Sequence, residues 1–251
     1  MNCPMAEPDG LFGGRLALRQ PPHGHRVGTD AVLLAAAAPA VARGLIVDAG
    51  AGVGAVGLAL AQTNPGATVV LLEKNVAVAG LARDNIGLNA LESRVRLVEA
   101  DLFDAPERKR QGLAEAADLV ITNPPFLNAG AARASPHADR AMAHMLDGGG
   151  VEKWLRACLA LLRPAGDLVV IHRADALAAL LAALDGRAGA LAVLPVFPRA
   201  EQKATRVILR GRKGSKAPLA LLPGLVLHDR DGRFTPLAEE IHRIGRRIFE
   251  P

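Results

Sequence analysis

The sequence has no tyrosine, one tryptophan and only two cysteines. Because Cys3 and Cys158 form no CxxC or other paired spacing, we expect neither a disulfide framework nor a cysteine zinc site, which fits a reducing cytoplasm. No H-E-x-x-H pattern is present, and we expect no metal. No apolar run approaches the roughly 20 residues that span a bilayer. The N-terminus carries Glu7 and Asp9 and lacks an apolar signal segment, so we expect a cytoplasmic protein without a membrane partner.

The abundant residues indicate one alanine-rich α/β domain with a polyanionic partner. Half of the residues are apolar but only 3% are aromatic, so the core must be built mainly from alanine, leucine and valine. A chain of 251 residues can form one large domain with small additions at its ends. The formal net charge of +5 raises the expectation of a nucleic-acid partner.

The first 43 residues predict a β-hairpin followed by a helix. Residues 11–27 contain two short apolar stretches separated by a Pro-Pro pair, which predicts two strands and their turn. A helix should then begin at Gly28 and run to about Ala42, with Thr29 or Asp30 as its N-cap. The alternative for Thr29 and Asp30 is a place in a substrate pocket. Arg26 could contact a phosphate there or lie on a solvated surface.

From residue 44 a strand pattern changes to a helical pattern inside a glycine-rich turn. Glycines let the backbone approach a ligand closely and leave helix-start N–H groups free, so a nucleotide-like cofactor is indicated. Gly52, Gly54 and Gly57 fit G-x-G-x-x-G, which is typical of dinucleotide binding. Asp48, Gly50, Gly52 and Gly54 fit D-x-G-x-G-x-G, which resembles the loop of class I S-adenosylmethionine-dependent methyltransferases. The loop alone leaves both cofactors open.

Two further acids follow strands in positions that suit either cofactor. One predicted strand ends at Glu73 and Lys74, where a carboxylate can accept hydrogen bonds from both ribose hydroxyls. The next ends at Asp101, which is placed to accept from the adenine amine of the cofactor, with Leu102 packing on the adenine face. We therefore predict a nucleotide site that both acids help to form.

The next strand ends in Asn123, Pro124, Pro125 and Phe126. Proline cannot continue a sheet ladder and restricts the residue before it, so this turn presents a fixed amide, exposed carbonyls and one ring. In an open parallel sheet that edge is where ligands bind. The turn resembles the N-P-P-[YF] motif of methyltransferases that act on amino groups of planar substrates. The resemblance favours S-adenosylmethionine, with S-adenosylhomocysteine as product, over a dinucleotide.

The chemistry of an adenine amine explains these residue types. The amine is a poor nucleophile because its lone pair is delocalised into the ring. If the Asn123 side-chain oxygen and the Pro124 carbonyl accept its two hydrogens, the nitrogen can become pyramidal and point its lone pair at the methyl donor. Phe126 would stack on the base, worth roughly 1–3 kcal/mol. The base would be flipped out or already unpaired.

The rest of the chain predicts a doubly wound sheet and a basic end. Residues 128–147 form a polar segment that includes Arg133 and follows the Asn-Pro-Pro-Phe turn. Beyond it, strands alternate with helices, one of which carries Trp154 toward the core. A last helix over residues 236–249 should bury one apolar face, Leu237, Ile241, Ile244 and Ile248. Its other side carries Arg243, Arg246 and Arg247, which could follow a phosphate backbone or be ordinary solvated surface.

Most of the chain resembles the tRNA adenine N6-methyltransferases that modify a valine tRNA beside the anticodon. The resemblance rests on residues 12–20 and 25–35, the glycine loop, the Asn-Pro-Pro-Phe turn and residues 204–210. It implies a Rossmann-like α/β fold with a mostly parallel seven-stranded sheet, a reversed last strand and helices on both faces. Residues 1–43 would form an N-terminal hairpin and helix, and residues 44–251 the methyltransferase domain with its basic extension.

The family also implies S-adenosylmethionine as cofactor and adenosine in tRNA as substrate. By position, Glu73 and Asp101 would contact the cofactor and Asn123 to Phe126 the base. Three other functions stay open at this point. The same turn would suit the amide of a protein glutamine, the scaffold could bind nucleic acid without catalysis, and an O-methyltransferase would need a base or metal that the sequence does not reveal.

Overall fold

The computed structural model describes residues 7–22, 26–125 and 150–249. Two of the predicted site residues, Phe126 and Arg133, lie outside the described residues. Within the described ranges, no helix is both long enough and apolar enough to cross a membrane.

The described residues form eleven strands and seven α-helices, which alternate through the central part of the chain as predicted. The strands are β1 Asp9–Leu11, β2 Leu16–Leu18, β3 Gly44–Ala49, β4 Ala67–Glu73, β5 Val95–Glu99, β6 Ala117–Thr122, β7 Leu162–Arg173, β8 Ala188–Phe197, β9 Arg206–Lys213, β10 Ala220–Leu221 and β11 Leu225–Val226. The helices are α1 Thr29–Ala37, α2 Ala55–Thr63, α3 Val76–Leu88, α4 Ala105–Arg110, α5 Gly150–Leu161, α6 Leu177–Leu184 and α7 Pro236–Ile244.

Nine of these strands form one sheet in the order β10-β8-β9-β7-β6-β3-β4-β5, with β11 also paired to β8. Strand β9 runs antiparallel to both of its neighbours, and the other pairs are parallel. The predicted mostly parallel sheet with a reversed last strand is therefore confirmed for the seven strands β3 to β9. The short strands β10 and β11 extend the sheet at its β8 edge.

Helices cover both faces of the sheet, as predicted. Along β7, Val169 and Ile171 belong to the buried cluster that contains α1, α2 and α3, and Leu168 and Val170 belong to the cluster beneath α5 and α6. The alternation follows from the two-residue period of a strand. Leu16 of the N-terminal hairpin lies in the first cluster, so the hairpin shares a core with the sheet.

Three local predictions near the chain ends were wrong. The hairpin turns at Phe12, Gly13 and Gly14, whose φ values are 52°, 66° and 87°, rather than at the Pro-Pro pair, because glycine adopts that conformation at low cost. Helix α1 ends at Ala37, since residue 38 is extended before a proline. Helix α7 ends at a left-handed Gly245.

The apolar face predicted for α7 is also only partly correct. Ala238 and Ile241 are fully buried, whereas Leu237 is 38% exposed and Ile244 is 55% exposed. The early end of the helix removes Ile248 from this face. Beyond Gly245 the chain turns and the Ile248 N–H donates to the carbonyl of Ala36, so the C-terminal segment lies against the end of α1.

Asn85 joins the hairpin segment to the glycine loop. Its side-chain oxygen accepts from the Arg19 N–H at 2.7 Å, and its amide nitrogen donates to the carbonyls of Arg19 at 3.0 Å and Val53 at 2.9 Å. One turn later, Asn89 at the C-cap of α3 exchanges a similar pair of hydrogen bonds with the backbone of Ala17. The side chains of Asn85 and Asn89 thus make the hydrogen bonds with β2 and the residue after it that a neighbouring strand would otherwise make.

We predict that Asn85→Ala lowers the free energy of unfolding by about 2–3 kcal/mol, because it leaves buried backbone groups of Arg19 and Val53 without partners. Urea unfolding measures this change. Asn75→Ala is the matched control, since Asn75 caps α3 at an exposed position and its loss should cost only about 1 kcal/mol. Equal losses for the two variants would contradict the anchoring role of Asn85.

Candidate active site

The segments predicted to contact the cofactor and the target amine meet at one edge of the sheet. Strand β3 lies between β4 and β6, so Ala49, Leu72 and Thr122 stand side by side at the carboxyl ends of these strands. Strand β5 adds a fourth carboxyl end, with Glu99 level with Glu73. The glycine loop, the acids after β4 and β5, and the Asn-Pro-Pro turn therefore all leave the sheet on the same side.

The glycine loop is folded in a conformation that favours glycine at three positions. Gly50, Gly52 and Gly54 have φ values of 74°, 57° and 88°. A Cβ atom on Gly50 would lie 2.9 Å from the ring of Trp154, and one on Gly54 would lie 2.8 Å from Leu71, so both glycines are required for packing. A Cβ atom on Gly52 would meet open space. Gly52 is thus the point at which a ligand can approach the loop backbone.

Glu73 is fixed against this loop. Its carboxylate accepts hydrogen bonds from the Gly52 N–H at 3.0 Å and from the Asn75 N–H at 2.8 Å. Each carboxylate oxygen can accept a second hydrogen bond, so the group can still receive two hydroxyls of a ribose. Glu73 is half-buried at the end of β4. This geometry fits the predicted ribose contact of a nucleotide cofactor.

Asp101 is likewise held in place at the end of β5. One carboxylate oxygen accepts from the Phe103 N–H at 2.9 Å, and the other lies 3.6 Å from the Lys74 Nζ atom. The Asp101 side chain is 43% exposed. Lys74 therefore contacts the acid that follows the neighbouring strand.

The structure places Leu102 differently from the prediction. Its side chain is 4% exposed and belongs to the core, since the residue turns inward in the loop that follows β5. Phe103 is 42% exposed at the same edge and lies edge-on to Trp154, with ring centroids 5.9 Å apart. An exposed apolar surface beside Asp101 is therefore supplied by Phe103, which the sequence reasoning did not single out.

Asp48 lies beneath the glycine loop and is only 2% exposed. Its carboxylate accepts from the Gly57 N–H at 2.8 Å, which holds the first turn of α2 to the end of β3. Burial raises the pKa of Asp48 to about 7, and the nearby negative charge of Glu73 adds to the rise. In the structure, Asp48 therefore supports the loop from below, whereas the sequence prediction placed it among the cofactor-binding residues.

Asn123 offers an unused acceptor at the end of β6. Its side-chain oxygen is buried and receives no hydrogen bond from any described residue. Pro124 is buried and Pro125 is exposed, so the turn passes from the core to the surface within two residues. A buried oxygen without a donor is costly unless a ligand supplies one. The site thus contains an acceptor that suits an amino group.

A buried hydrogen-bond chain links this turn to the glycine loop. The Trp154 Nε1–H donates to the Thr122 hydroxyl at 2.9 Å, and that hydroxyl donates to the Ala49 carbonyl at 2.7 Å. The prediction that Trp154 belongs to the core is confirmed, since it is 6% exposed. The sequence reasoning did not predict the hydrogen bond from Trp154 to Thr122, although a buried indole N–H generally has a partner.

The structure brings Thr29 and Asp30 to this same edge. Asp30 accepts from the Arg206 guanidinium at 2.9 Å, and Arg206 is level with Arg173 at the carboxyl end of β7. The expectation that Thr29 or Asp30 is the N-cap was wrong. Gly28 holds that position and, as glycine, supplies no side-chain cap, while Asp30 lies in the first turn of α1 and pairs with Arg206.

The predicted basic contacts are divided between the two edges of the sheet. Arg26 pairs with Asp9 at 2.5 Å in the segment that precedes α1. Arg247 donates to Asn64 at 3.4 Å, beyond the end of α2 and therefore at the edge opposite to the glycine loop. Arg246 pairs with Glu240 at 2.5 Å. The structure does not bring Arg243, Arg246 and Arg247 to the site.

Comparison with known proteins gives consistent similarities across this chain. Residues 25–181 match the model of the methyltransferase small domain. The chain is 32% identical to a tRNA1(Val) (adenine(37)-N6)-methyltransferase of Aeromonas hydrophila, over 84% of this chain and 85% of the relative. It is also 32% identical to a protein of the same name in Bacteroides thetaiotaomicron, over 60% of each chain.

Solved structures confirm the fold. A crystal structure of a predicted O-methyltransferase from Agrobacterium tumefaciens superposes with a TM-score of 0.72 and 32% sequence identity. The match covers 88% of this chain and 98% of the other. The fold of the described residues therefore agrees with that of a methyltransferase.

We predict that the buried carboxyl of Asp48 makes the protein less stable as the pH rises. Between the ordinary pKa of 3.8 and about 7, the folded protein holds a proton that the unfolded chain has lost. The stabilisation is fully present below the lower value and is lost as the pH passes the upper one. Urea unfolding at about pH 5 and about pH 8 measures the difference.

Asp48→Asn tests this assignment, because it keeps an oxygen for the Gly57 N–H and removes the titration. The free energy of unfolding should then differ less between the two pH values than in the unchanged protein. Asp101→Asn, at an exposed carboxyl, is the control and should leave the difference unchanged. A full pH dependence in Asp48→Asn would assign it to other groups.

Proposed function

The chain belongs to the methyltransferase small-domain family, and from this we propose that it transfers a methyl group from S-adenosylmethionine to the N6 of an adenine in tRNA. The observation that carries the proposal is the buried Asn123 side-chain oxygen, which receives no hydrogen bond from the described residues. It stands beside a glycine loop and two acids suited to a nucleotide cofactor. The proposed sites for the methyl donor and for the amine that receives the methyl group therefore lie side by side at one edge of the sheet.

The residues around the loop would hold the cofactor. When bound, S-adenosylmethionine supplies an electrophilic methyl group on a positively charged sulfur. The open side of Gly52 allows close approach, the Glu73 carboxylate would accept from the ribose hydroxyls, and Asp101 would accept from the adenine amine. Exposed Phe103 would cover the adenine beside it. The Asn-Pro-Pro turn follows β6, the neighbour of β3, so it adjoins the loop that would hold the cofactor.

The turn would orient the substrate amine. The Asn123 side-chain oxygen and the Pro124 carbonyl would accept the two hydrogens of the amine, so that the nitrogen could become pyramidal and direct its lone pair at the methyl donor. Thr122 and Trp154 fix the end of β6, so this geometry is set before the substrate arrives. Alignment of this kind can supply a large part of a rate enhancement. Phe126 remains the predicted stacking residue.

The choice of tRNA rests on the relatives and on charge. Relatives at 32% identity are named as tRNA adenine N6-methyltransferases, and the chain carries a net charge of +5. A tRNA substrate also agrees with the predicted cytoplasmic location. Two observations favour a methyl acceptor other than adenine. The Asn123 acceptor would equally suit a glutamine amide, and a similar solved structure is named as a predicted O-methyltransferase.

Labelled S-adenosylmethionine and bulk tRNA test the proposal directly. After incubation with the protein and digestion to nucleosides, we expect the label in N6-methyladenosine. A parallel incubation with cell protein and with small hydroxylated compounds examines the alternatives. Label in glutamine or in a methyl ether, with none in tRNA, would replace the proposed activity with one of them.

We predict that Asn123→Ala lowers kcat by about a hundredfold or more, the loss seen when one positioned hydrogen-bonding group is removed from an active site. Affinity for S-adenosylmethionine should change little, because the cofactor contacts lie on other strands. Single-turnover assays and calorimetry measure the two quantities. Glu73→Gln is the matched control and should weaken cofactor binding instead. A large loss of cofactor affinity in Asn123→Ala would contradict its role as acceptor.

A further inference from the structure

Several arginines surround the C-terminal end of α2, at the edge of the sheet away from the active site. Arg94 donates to the Ala61 carbonyl at 2.6 Å, and Arg247 donates to Asn64 at 3.4 Å. Gln62 donates to the Arg15 carbonyl at 2.9 Å, which places Arg15 beside the same turn. Arginines from distant parts of the chain thus lie around the end of α2 and the residues that follow it.

Two exposed arginines complete this group. A Cβ atom on Gly66 would lie 3.6 Å from the Cγ atom of Arg43, so the stem of Arg43 lies along the turn after α2. The Arg243 carbonyl accepts from the Arg15 guanidinium at 3.1 Å, which brings Arg243 to the same place from α7. We call Arg15, Arg43, Arg94 and Arg243 the far-edge arginines.

The far-edge arginines have no carboxylate partner within the described residues. The hydrogen bonds of Arg15 and Arg94 go to carbonyl groups, which satisfy donors but leave the positive charge in place. At the active-site edge Arg26, Lys74 and Arg206 each pair with an aspartate. Exposed Arg199 and Lys203, which follow β8 at that edge, have no carboxylate partner among the described residues, so unpaired positive charge lies at both edges and the far-edge arginines form one of its two groups.

Attraction to the helix end explains only part of this arrangement. The C-terminus of a helix carries partial negative charge, and Arg94 contacts the last carbonyls of α2 directly. One or two cations would serve that purpose. Arg43 and Arg243 are exposed, and their side chains donate no hydrogen bond to the rest of the described structure, so capping does not account for them.

From this charge distribution we infer that the far-edge arginines bind the phosphate backbone of a folded RNA whose target base lies in the active site. The inference rests on the proposed RNA substrate. Arginine is well suited to phosphate recognition because its planar guanidinium can donate two parallel hydrogen bonds. The six residues of β3 separate the two edges by about 20 Å. Only an RNA large enough to reach around one face of the sheet can occupy both places.

The double variant Arg43→Gln/Arg243→Gln tests the inference by the salt dependence of tRNA binding. Each phosphate contact that is lost should reduce the slope of log affinity against log salt by about 1, so we expect a reduction of about 2. Binding is measured between about 50 and 200 mM salt in the presence of S-adenosylhomocysteine. Affinity for a five-nucleotide RNA that carries one adenine should not change, because this RNA is too short to reach the far edge.

The matched control is Arg110→Gln/Arg156→Gln, which removes the same charge from α4 and α5 on the other face of the sheet. Its salt slope should equal that of the unchanged protein. Thermal unfolding checks that both double variants remain folded. An unchanged slope in Arg43→Gln/Arg243→Gln, or an equal reduction in the control, would overturn the inference. Binding is read without methyl transfer, so a reduced slope with no N6-methyladenosine would support this surface and reject only the proposed function.

Discussion

The short hydrogen-bond chain from Trp154 through Thr122 to Ala49 is the constraint on which the site depends. It connects the ends of β3 and β6, which carry the two functional loops, to a helix on one face of the sheet. Because the indole also fills the space beside Gly50, it fixes the glycine loop and the Asn-Pro-Pro turn together. Methyl transfer requires the two reacting groups to be aligned closely, so a common support is of direct value.

Residues that end parallel strands could be identified from the sequence because the fold alone places them. Glu73, Asp101 and Asn123 each follow an apolar strand, and a parallel sheet brings such residues to one edge. Contacts that depend on tertiary packing could not be identified from the sequence in this way. The Asp30 to Arg206 pair joins positions far apart in the chain, and Leu102 turns inward because the loop after β5 packs into the core.

The same distinction applies to the basic residues. Their number was visible in the sequence, but the neutralising partners of each one depend on tertiary contacts. Arg246 and Arg243 are close together in one short segment, yet Glu240 engages the first and no described carboxylate engages the second. A charge count therefore favours a class of partner, while only the fold shows which basic residues are neutralised by a neighbouring carboxylate.

The short strands β10 and β11 have a consequence for association of the protein with itself. Each pairs only two residues with the outer side of β8, and Pro223, which lacks an N–H group, lies between them. An open sheet edge can recruit a strand from another molecule, and brief, interrupted strands with a proline prevent that addition. The C-terminal extension therefore terminates the sheet and protects it against edge-to-edge aggregation.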